Sequence, residues 1–227
     1  MKKKHIGKVI FFSGNKKYAG TGNIIYIDAK KIIIATAAHC VYDYEQCTFF
    51  SNISFYTDDI KEKVEVDKVF VNKSWVECGD LDADYAFMTI LKKSVNVDFM
   101  NDLECTPPLF ELGRGKTYSV HGIPNRFVIK EKIKTYMGHA IEDNYRHSNM
   151  QGVQAKAEVG VSGGPWLIDI DGTLYQNSNS SATFSEVEGI LWGPYWGNEC
   201  KAVYETSLNE NMISNLVIEY KGGDLNE

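Results

Sequence analysis

Three short motifs carry side chains whose types could perform acyl-transfer chemistry. His39 ends the run TAAH directly after a β-branched segment, and its ordinary pKa near neutrality suits a general base. Asp84 opens the apolar run DYAFM, where a buried carboxylate could orient a histidine and stabilise its protonated form. Ser162 lies in GVSGGP, where glycines let the backbone bend sharply and expose the hydroxyl. Taken alone, His39 could be a structural histidine and Asp84 a turn residue. The serine motif is a strong signal for a catalytic serine.

The glycine-rich motif also supplies candidate donors for a developing oxyanion. The backbone N–H groups of Gly160 and Ser162 could both point toward it, and such stabilisation is usually the largest single contribution in acyl transfer. The chain order His, Asp, Ser excludes the subtilisin and α/β-hydrolase arrangements. Asp82 is the local competitor for the acid. The sequence therefore predicts a triad of His39, Asp84 and Ser162.

Together these motifs resemble the chymotrypsin-like or trypsin-like serine peptidases. Four further segments are similar to the glutamyl endopeptidase branch: AGTG at 19–22, YSVHGIP at 118–124, Met150-Gln151 and GILWG at 189–193. The resemblance implies two six-stranded antiparallel β-barrels with the active site between them. It also implies a protein or peptide substrate, cleavage through an acyl-enzyme, and no cofactor or metal.

Two departures from the family pattern limit what the resemblance implies. In the glutamyl branch a histidine occupies the position of Leu191 and helps to bind the substrate's glutamate, but leucine cannot donate a hydrogen bond. Glutamyl specificity is therefore not expected. Digestive proteases place an aspartate at the position of Val161, where it pairs with a newly cut N-terminus. Valine cannot form that ion pair, so activation of that type is not expected here.

The resemblance also suggests residues for the substrate pocket: Lys156 at its floor, and Leu191, Trp192 and Gly193 along its wall. A lysine that points inward would favour acidic substrates. A lysine that points to solvent would leave a pocket for uncharged side chains, and this second case is the expectation. Trp192 could equally fill the core.

The remaining sequence predicts an all-β protein with one terminal helix. Strand-like runs rich in Ile, Val, Tyr and Phe lie at 24–27, 32–36, 64–71, 85–91, 117–122, 127–136 and 189–193. Asp171-Gly172 predicts a tight hairpin. Residues 92–116, which contain Pro107-Pro108, are interpreted as the crossing between an N-terminal barrel at 1–104 and a C-terminal barrel at 105–227.

The last element is predicted to be a helix over 207–221. Ser207 and Glu210 have the spacing of a capping box. Apolar residues then recur every four positions at Leu208, Met212, Leu216 and Tyr220. Gly222-Gly223 would end the helix.

Composition excludes several function classes. The chain is 44% hydrophobic and 24% charged, as in ordinary soluble proteins, and its net charge of -6 gives no basic footprint for nucleic acid or membrane. The apolar stretch after the N-terminal lysines is too short for a signal peptide.

Five cysteines without a CxxC pair predict free thiols, although Cys40 and Cys47 could pair. A cytoplasmic location is expected, or a secreted one if an export signal was trimmed.

A second function class remains open. A pseudo-protease would keep the fold as a protein-binding module, but such modules usually lose a triad member and this chain has all three. An active endopeptidase is therefore the expectation. An endopeptidase that acts among the cell's own proteins would need narrow specificity or a regulatory protein partner.

Overall fold

The computed structural model describes residues 5–57, 63–92, 103–125, 132–156, 158–210 and 215–221. Its strands are β1 (Ile6–Ser13), β2 (Lys16–Ile27), β3 (Lys31–Thr36), β4 (Tyr42–Asp43), β5 (Thr48–Phe49), β6 (Ser51–Tyr56), β7 (Val64–Glu65), β8 (Lys68–Asn72), β9 (Ala86–Leu91), β10 (Thr117–Gly122), β11 (Lys134–His139), β12 (Ile141–Glu142), β13 (Gln151–Gln154), β14 (Pro165–Ile170), β15 (Thr173–Asn179), β16 (Ala182–Phe184), β17 (Val187–Gly193) and β18 (Val217–Lys221). The α-helices are α1 (Lys73–Cys78) and α2 (Asn198–Asn209), and 3-10 turns cover Ala38–Cys40 and Leu81–Ala83.

The first barrel is one antiparallel sheet in the order β18-β8-β9-β3-β2-β1-β6-β7. The β-branched run of β3 is buried along its whole length because it lies between β2 and β9 in the middle of this sheet. Most of the buried apolar side chains of the protein belong to this barrel. Burial of these side chains is the main force that holds β3 and β9 in place. It therefore also fixes the segments that directly follow β3 and directly precede β9.

The second barrel consists of two four-stranded sheets, β11-β10-β14-β15 and β12-β13-β17-β16. A smaller apolar cluster around Tyr118, Trp166 and Leu191 fills it. The predicted hairpin is confirmed: β14 and β15 pair across Asp171-Gly172, and both turn residues have positive φ, 52° and 83°. The all-β fold of two barrels is likewise confirmed.

The predicted helix at 207–221 is wrong. The helix α2 lies earlier, at Asn198–Asn209, and Glu210 ends it in the left-handed conformation. Ser207 does not cap a helix, because its Oγ donates to the Tyr204 carbonyl inside the last turn. Glu210 instead pairs with Lys31 and Lys68. Met212 lies outside the described residues.

The end of that segment is strand β18, which pairs with β8 from Val217↔Asn72 to Lys221↔Lys68. The backbone N–H and C=O groups at the edge of β8 can form hydrogen bonds with an extended segment. These bonds stabilise a strand here more than the four-residue apolar period stabilises a helix. The helix α2 also packs against β8 and β9. The helix α2 and the strand β18 therefore extend the first barrel, although their sequence positions lie in the predicted C-terminal unit.

All five cysteines are unpaired, as predicted, and Cys40 and Cys47 form no disulfide. Within the described ranges, no helix is long and apolar enough to cross a membrane.

Candidate active site

His39 and Asp84 meet because the strands beside them are paired. His39 lies in the 3-10 turn just after β3, Asp84 lies just before β9, and these strand ends pair at Thr36↔Ala86. The Asp84 Oδ2 atom is 2.8 Å from His39 Nδ1, and Oδ1 accepts from the His39 backbone N–H at 2.9 Å. Two contacts on one carboxylate fix both the ring and its backbone. The geometry orients the other ring nitrogen away from Asp84.

The carboxylate of Asp84 is fully buried, and both of its oxygens have hydrogen-bond partners. Its Oδ2 also accepts a hydrogen bond from the Ser181 hydroxyl, and its backbone carbonyl accepts from Asn179 Nδ2 at 2.9 Å. Burial alone would raise the pKa of Asp84, but the charge of His39 and these hydrogen bonds outweigh burial and lower it. The carboxylate therefore stays ionised.

His39 has the matching electrostatics. Its side chain keeps 32% of its surface exposed. Desolvation alone would lower the pKa of His39, but the Asp84 carboxylate outweighs it and raises the pKa well above the ordinary value. The ring is thus a stronger base than a free histidine. This is the property that a proton acceptor for a hydroxyl needs.

Asp82, the alternative acid, lies elsewhere. Its Oδ2 accepts from the backbone N–H of Asn149 at 3.0 Å, and partial burial raises its pKa. Asp84 is the aspartate that contacts His39.

Ser162 lies on a tight turn whose backbone is held from several sides. The Ser162 carbonyl accepts from the Thr21 N–H at 2.7 Å, and the Gly163 N–H donates to the Ser180 carbonyl at 2.7 Å. Gly163 has φ +79°, and a Cβ there would lie 2.2 Å from Thr36 Oγ1. Only glycine fits this close approach between the two barrels. Ser162 itself is half-buried.

A cavity of about 280 Å³ opens beside the serine. It is lined by Glu158, Val159, Val161, Ser162, Ser181, Ala182, Thr183 and Leu191. Most of this lining is apolar or carries a hydroxyl. Its one ionisable side chain, Glu158, forms an ion pair with Lys134. The cavity therefore suits a side chain of moderate size without charge.

The structure brings only one of the four suggested pocket residues to this cavity. Leu191 lines it, whereas Lys156 is exposed and absent from the lining. Trp192 is buried and its ring packs against Phe184 at 5.7 Å. Gly193 is buried against the Asn179 carbonyl.

Among the cavity residues that the sequence reasoning missed are Ala182 and Thr183 on β16 and Ser181 directly before it. Ser181 donates its N–H to the Trp192 carbonyl at 2.9 Å, and Ala182 pairs with Trp192, so β16 covers the backbone edge of β17. The outer edge of the sheet is thus β16. Shortly before β16, the five polar residues 176–180 are all fully buried. In the sequence alone, this polar run looks like an exposed strand.

The described residues hold no group of three or more His, Cys, Asp or Glu side chains that could bind a metal.

Comparison with known proteins decides the family. The sequence profile of the family named Trypsin matches residues 8–201. The chain belongs to the trypsin family. No curated protein sequence matches it.

Solved structures of trypsin-like proteases superpose closely on this member of the family. The thermostable serine protease AL20 from an extremophilic microorganism has a TM-score of 0.78 at 26% identity, covering 92% of this chain and 99% of that one. The protease Anisep from Arthrobacter nicotinovorans has a TM-score of 0.77 at 27% identity, covering 90% and 95%. A Glu endopeptidase shares the fold, with a TM-score of 0.70 at 18% identity over 90% of each chain. The family is one of hydrolases that act on proteins or peptides.

Proposed function

We propose that this trypsin-family chain is an active serine endopeptidase. The observation that carries the proposal is the His39–Asp84 contact of 2.8 Å, together with a half-buried Ser162 that lies on a glycine turn and lines the cavity. A structural histidine would not need an ionised, buried carboxylate partner and an exposed ring edge. A pseudo-protease would have no reason to keep all three groups.

In the proposed reaction, Ser162 Oγ attacks the scissile carbonyl while His39 accepts its proton. Asp84 holds the imidazole and stabilises the imidazolium that forms. The oxyanion is stabilised by the N–H groups of Gly160 and Ser162. When the intermediate collapses, His39 returns the proton to the leaving amine and an acyl-enzyme on Ser162 remains. Water, activated by the same histidine, then releases the acid and restores the serine.

The cavity lining supports a preference for an uncharged residue before the cleaved bond. Val159, Val161, Ala182 and Leu191 supply apolar walls. The Glu158 carboxylate is paired with Lys134, and this pairing weakens its attraction for a basic side chain and its repulsion of an acidic one alike. Glutamyl specificity therefore has no support in this lining.

A peptide library tests this proposal. The wild-type protein should cleave it after uncharged residues, and the Ser162→Ala protein should leave it intact. Absence of cleavage in both proteins would favour the binding-module alternative. A profile dominated by Asp or Glu would contradict the specificity.

We further propose that the protein works in a reducing compartment, in keeping with five unpaired thiols. A thiol count under denaturing, non-reducing conditions should give five. A count of three or fewer would show a disulfide and contradict the proposal.

A further inference from the structure

The side chain of Thr21, on β2 of the first barrel, reaches the nucleophile turn of the second. Thr21 is fully buried, and its Oγ1 donates to the Gly160 carbonyl at 2.7 Å. The same oxygen accepts the Ile123 N–H at 2.9 Å. The Thr21 N–H donates to the Ser162 carbonyl at 2.7 Å, and its own carbonyl accepts from Thr36 Oγ1 at 2.9 Å. One residue therefore anchors both residues that supply the oxyanion donors.

A second contact fixes the other side of Gly160. The Asn125 N–H donates to the Val159 carbonyl at 2.7 Å. In a trans peptide the N–H points opposite to the carbonyl, so this bond directs the Gly160 N–H away from Asn125. Gly160 itself has φ +99°, and a Cβ would lie 2.5 Å from Asn125 N. The two carbonyls that flank Gly160 are thus both held, one by Asn125 and one by Thr21.

These contacts matter because the residue between the two donors is apolar. Val161 is buried, and a Cβ on Gly122 would lie 2.6 Å from its Cβ. An ion pair at position 161 cannot hold the turn in this chain. Packing of Val161 fixes its position but gives no direction to a neighbouring N–H. A hydrogen bond does give direction, and buried ones in a low dielectric are strong.

We propose that Thr21 is a positioning residue that holds the nucleophile turn in its oxyanion-binding conformation, without a cleavage-generated N-terminus. This inference rests on the proposed endopeptidase function. Thr21 touches no reacting atom. It acts by fixing the peptide groups 160–161 and 162–163, which lie on either side of the peptide that carries the Ser162 N–H. The turn then needs no reorganisation when the oxyanion forms.

The test replaces Thr21 by valine, which keeps the shape and removes the hydroxyl, and by serine, which keeps the hydroxyl. Thr206→Val is the matched control, because Thr206 is also fully buried and its Oγ1 donates to a backbone carbonyl at 2.8 Å, but on α2. Active sites are titrated in each protein, so that kcat refers to folded enzyme. Inhibition by a peptide aldehyde, which forms a tetrahedral oxyanion on the serine, is measured alongside. Binding of uncleaved peptide is measured in a Ser162→Ala background.

Thr21→Val should lower kcat per titrated site by about 10- to 100-fold, which is less than the roughly 10²–10³ lost when a donor is removed outright. Aldehyde affinity should fall by the same factor, while peptide binding in the Ser162→Ala background stays within about twofold. Thr21→Ser should keep kcat within about threefold, and Thr206→Val should keep it unchanged.

An unchanged kcat and aldehyde affinity in Thr21→Val would overturn the inference. So would an equal loss in Thr21→Ser, because the hydroxyl would then not be the cause. If Thr21→Val does not fold, Thr21→Ala replaces it with the same expectations. A wild-type protein without any turnover would instead refute the proposed function, which keeps the two failures distinct.

Discussion

The two barrels contribute to the candidate site in different ways. The first supplies His39 and Asp84 from the ends of two strands that are hydrogen-bonded neighbours, so one pairing register sets their distance. The second supplies Ser162 and the cavity from a turn, an edge strand and the inner strand β17. These pieces are held by contacts between distant segments, including Thr21 from the other barrel. The proposed base and its acid are thus fixed by strand register, whereas the proposed nucleophile and the pocket are fixed by packing between segments.

The largest expected effects concern the chemical groups, whichever barrel supplies them. Ser162→Ala and His39→Ala should each lower kcat by roughly 10⁴-fold or more, because triad members act as a unit. Ser162→Ala should keep the wild-type melting temperature within a few degrees, because its side chain is half-buried. His39→Ala should lower it further, because the buried Asp84 carboxylate loses its ring partner. Steady-state kinetics and calorimetry check this. Substantial turnover in either variant would show that the two barrels do not form one site.

The next effect separates the two aspartates of the first barrel. Asp84→Asn should lower kcat by roughly 10⁴-fold, because an amide favours the wrong histidine tautomer. Asp82→Asn should keep kcat within a few-fold, because Asp82 binds Asn149 and not His39. The reverse pattern would show that strand register does not set the acid.

The pH dependence sharpens the same comparison. Asp84 raises the pKa of His39 above its ordinary 6.5, and only the neutral ring accepts a proton. In the wild type, kcat/KM should therefore be lost as the pH falls through a value above 6.5. Removing the carboxylate lowers the pKa of His39, so the residual activity of Asp84→Asn should persist to lower pH. An acid limb at the same pH in both proteins would show that the carboxylate does not control the base.

The smallest effects concern the second barrel's pocket. Lys156→Ala should leave the cleavage profile unchanged, because Lys156 is exposed and absent from the cavity lining. Glu158→Gln should raise the rate on peptides with an acidic residue at the cleaved position by a few-fold, because the positive charge of Lys134 then loses its carboxylate partner. Profiling one peptide library with all three proteins checks both. Loss of an acidic preference in Lys156→Ala would place that lysine inside the pocket.

The same division explains what could be predicted from the sequence. Strand-like runs, the Asp171-Gly172 hairpin and the motifs around His39, Asp84 and Ser162 are local patterns, and a local pattern specifies a strand, a turn or a reactive group. The pocket is not local. Ser181 and Ala182 reach it only because β16 pairs with β17, and no periodicity in the sequence records that pairing.

A C-terminal helix is present, but the predicted bounds of 207–221 are wrong for a related reason. A four-residue apolar period at 208–220 fits a helix, but the partner that decides the outcome is the edge of β8, more than a hundred residues earlier. A sequence pattern shows which residues of a segment share a face, but it does not show which part of the protein that face packs against. The role of Thr21 was beyond reach in the same way, since its contacts join residues far apart in the chain.

The most direct measurement is covalent labelling by a fluorophosphonate probe, followed by intact mass and peptide mapping. The account predicts one equivalent of probe per chain, attached to Ser162, with labelling abolished in Ser162→Ala and strongly slowed in His39→Ala. No labelling of the folded wild-type protein, or labelling that persists in Ser162→Ala, would contradict the claim that these residues form an active serine endopeptidase.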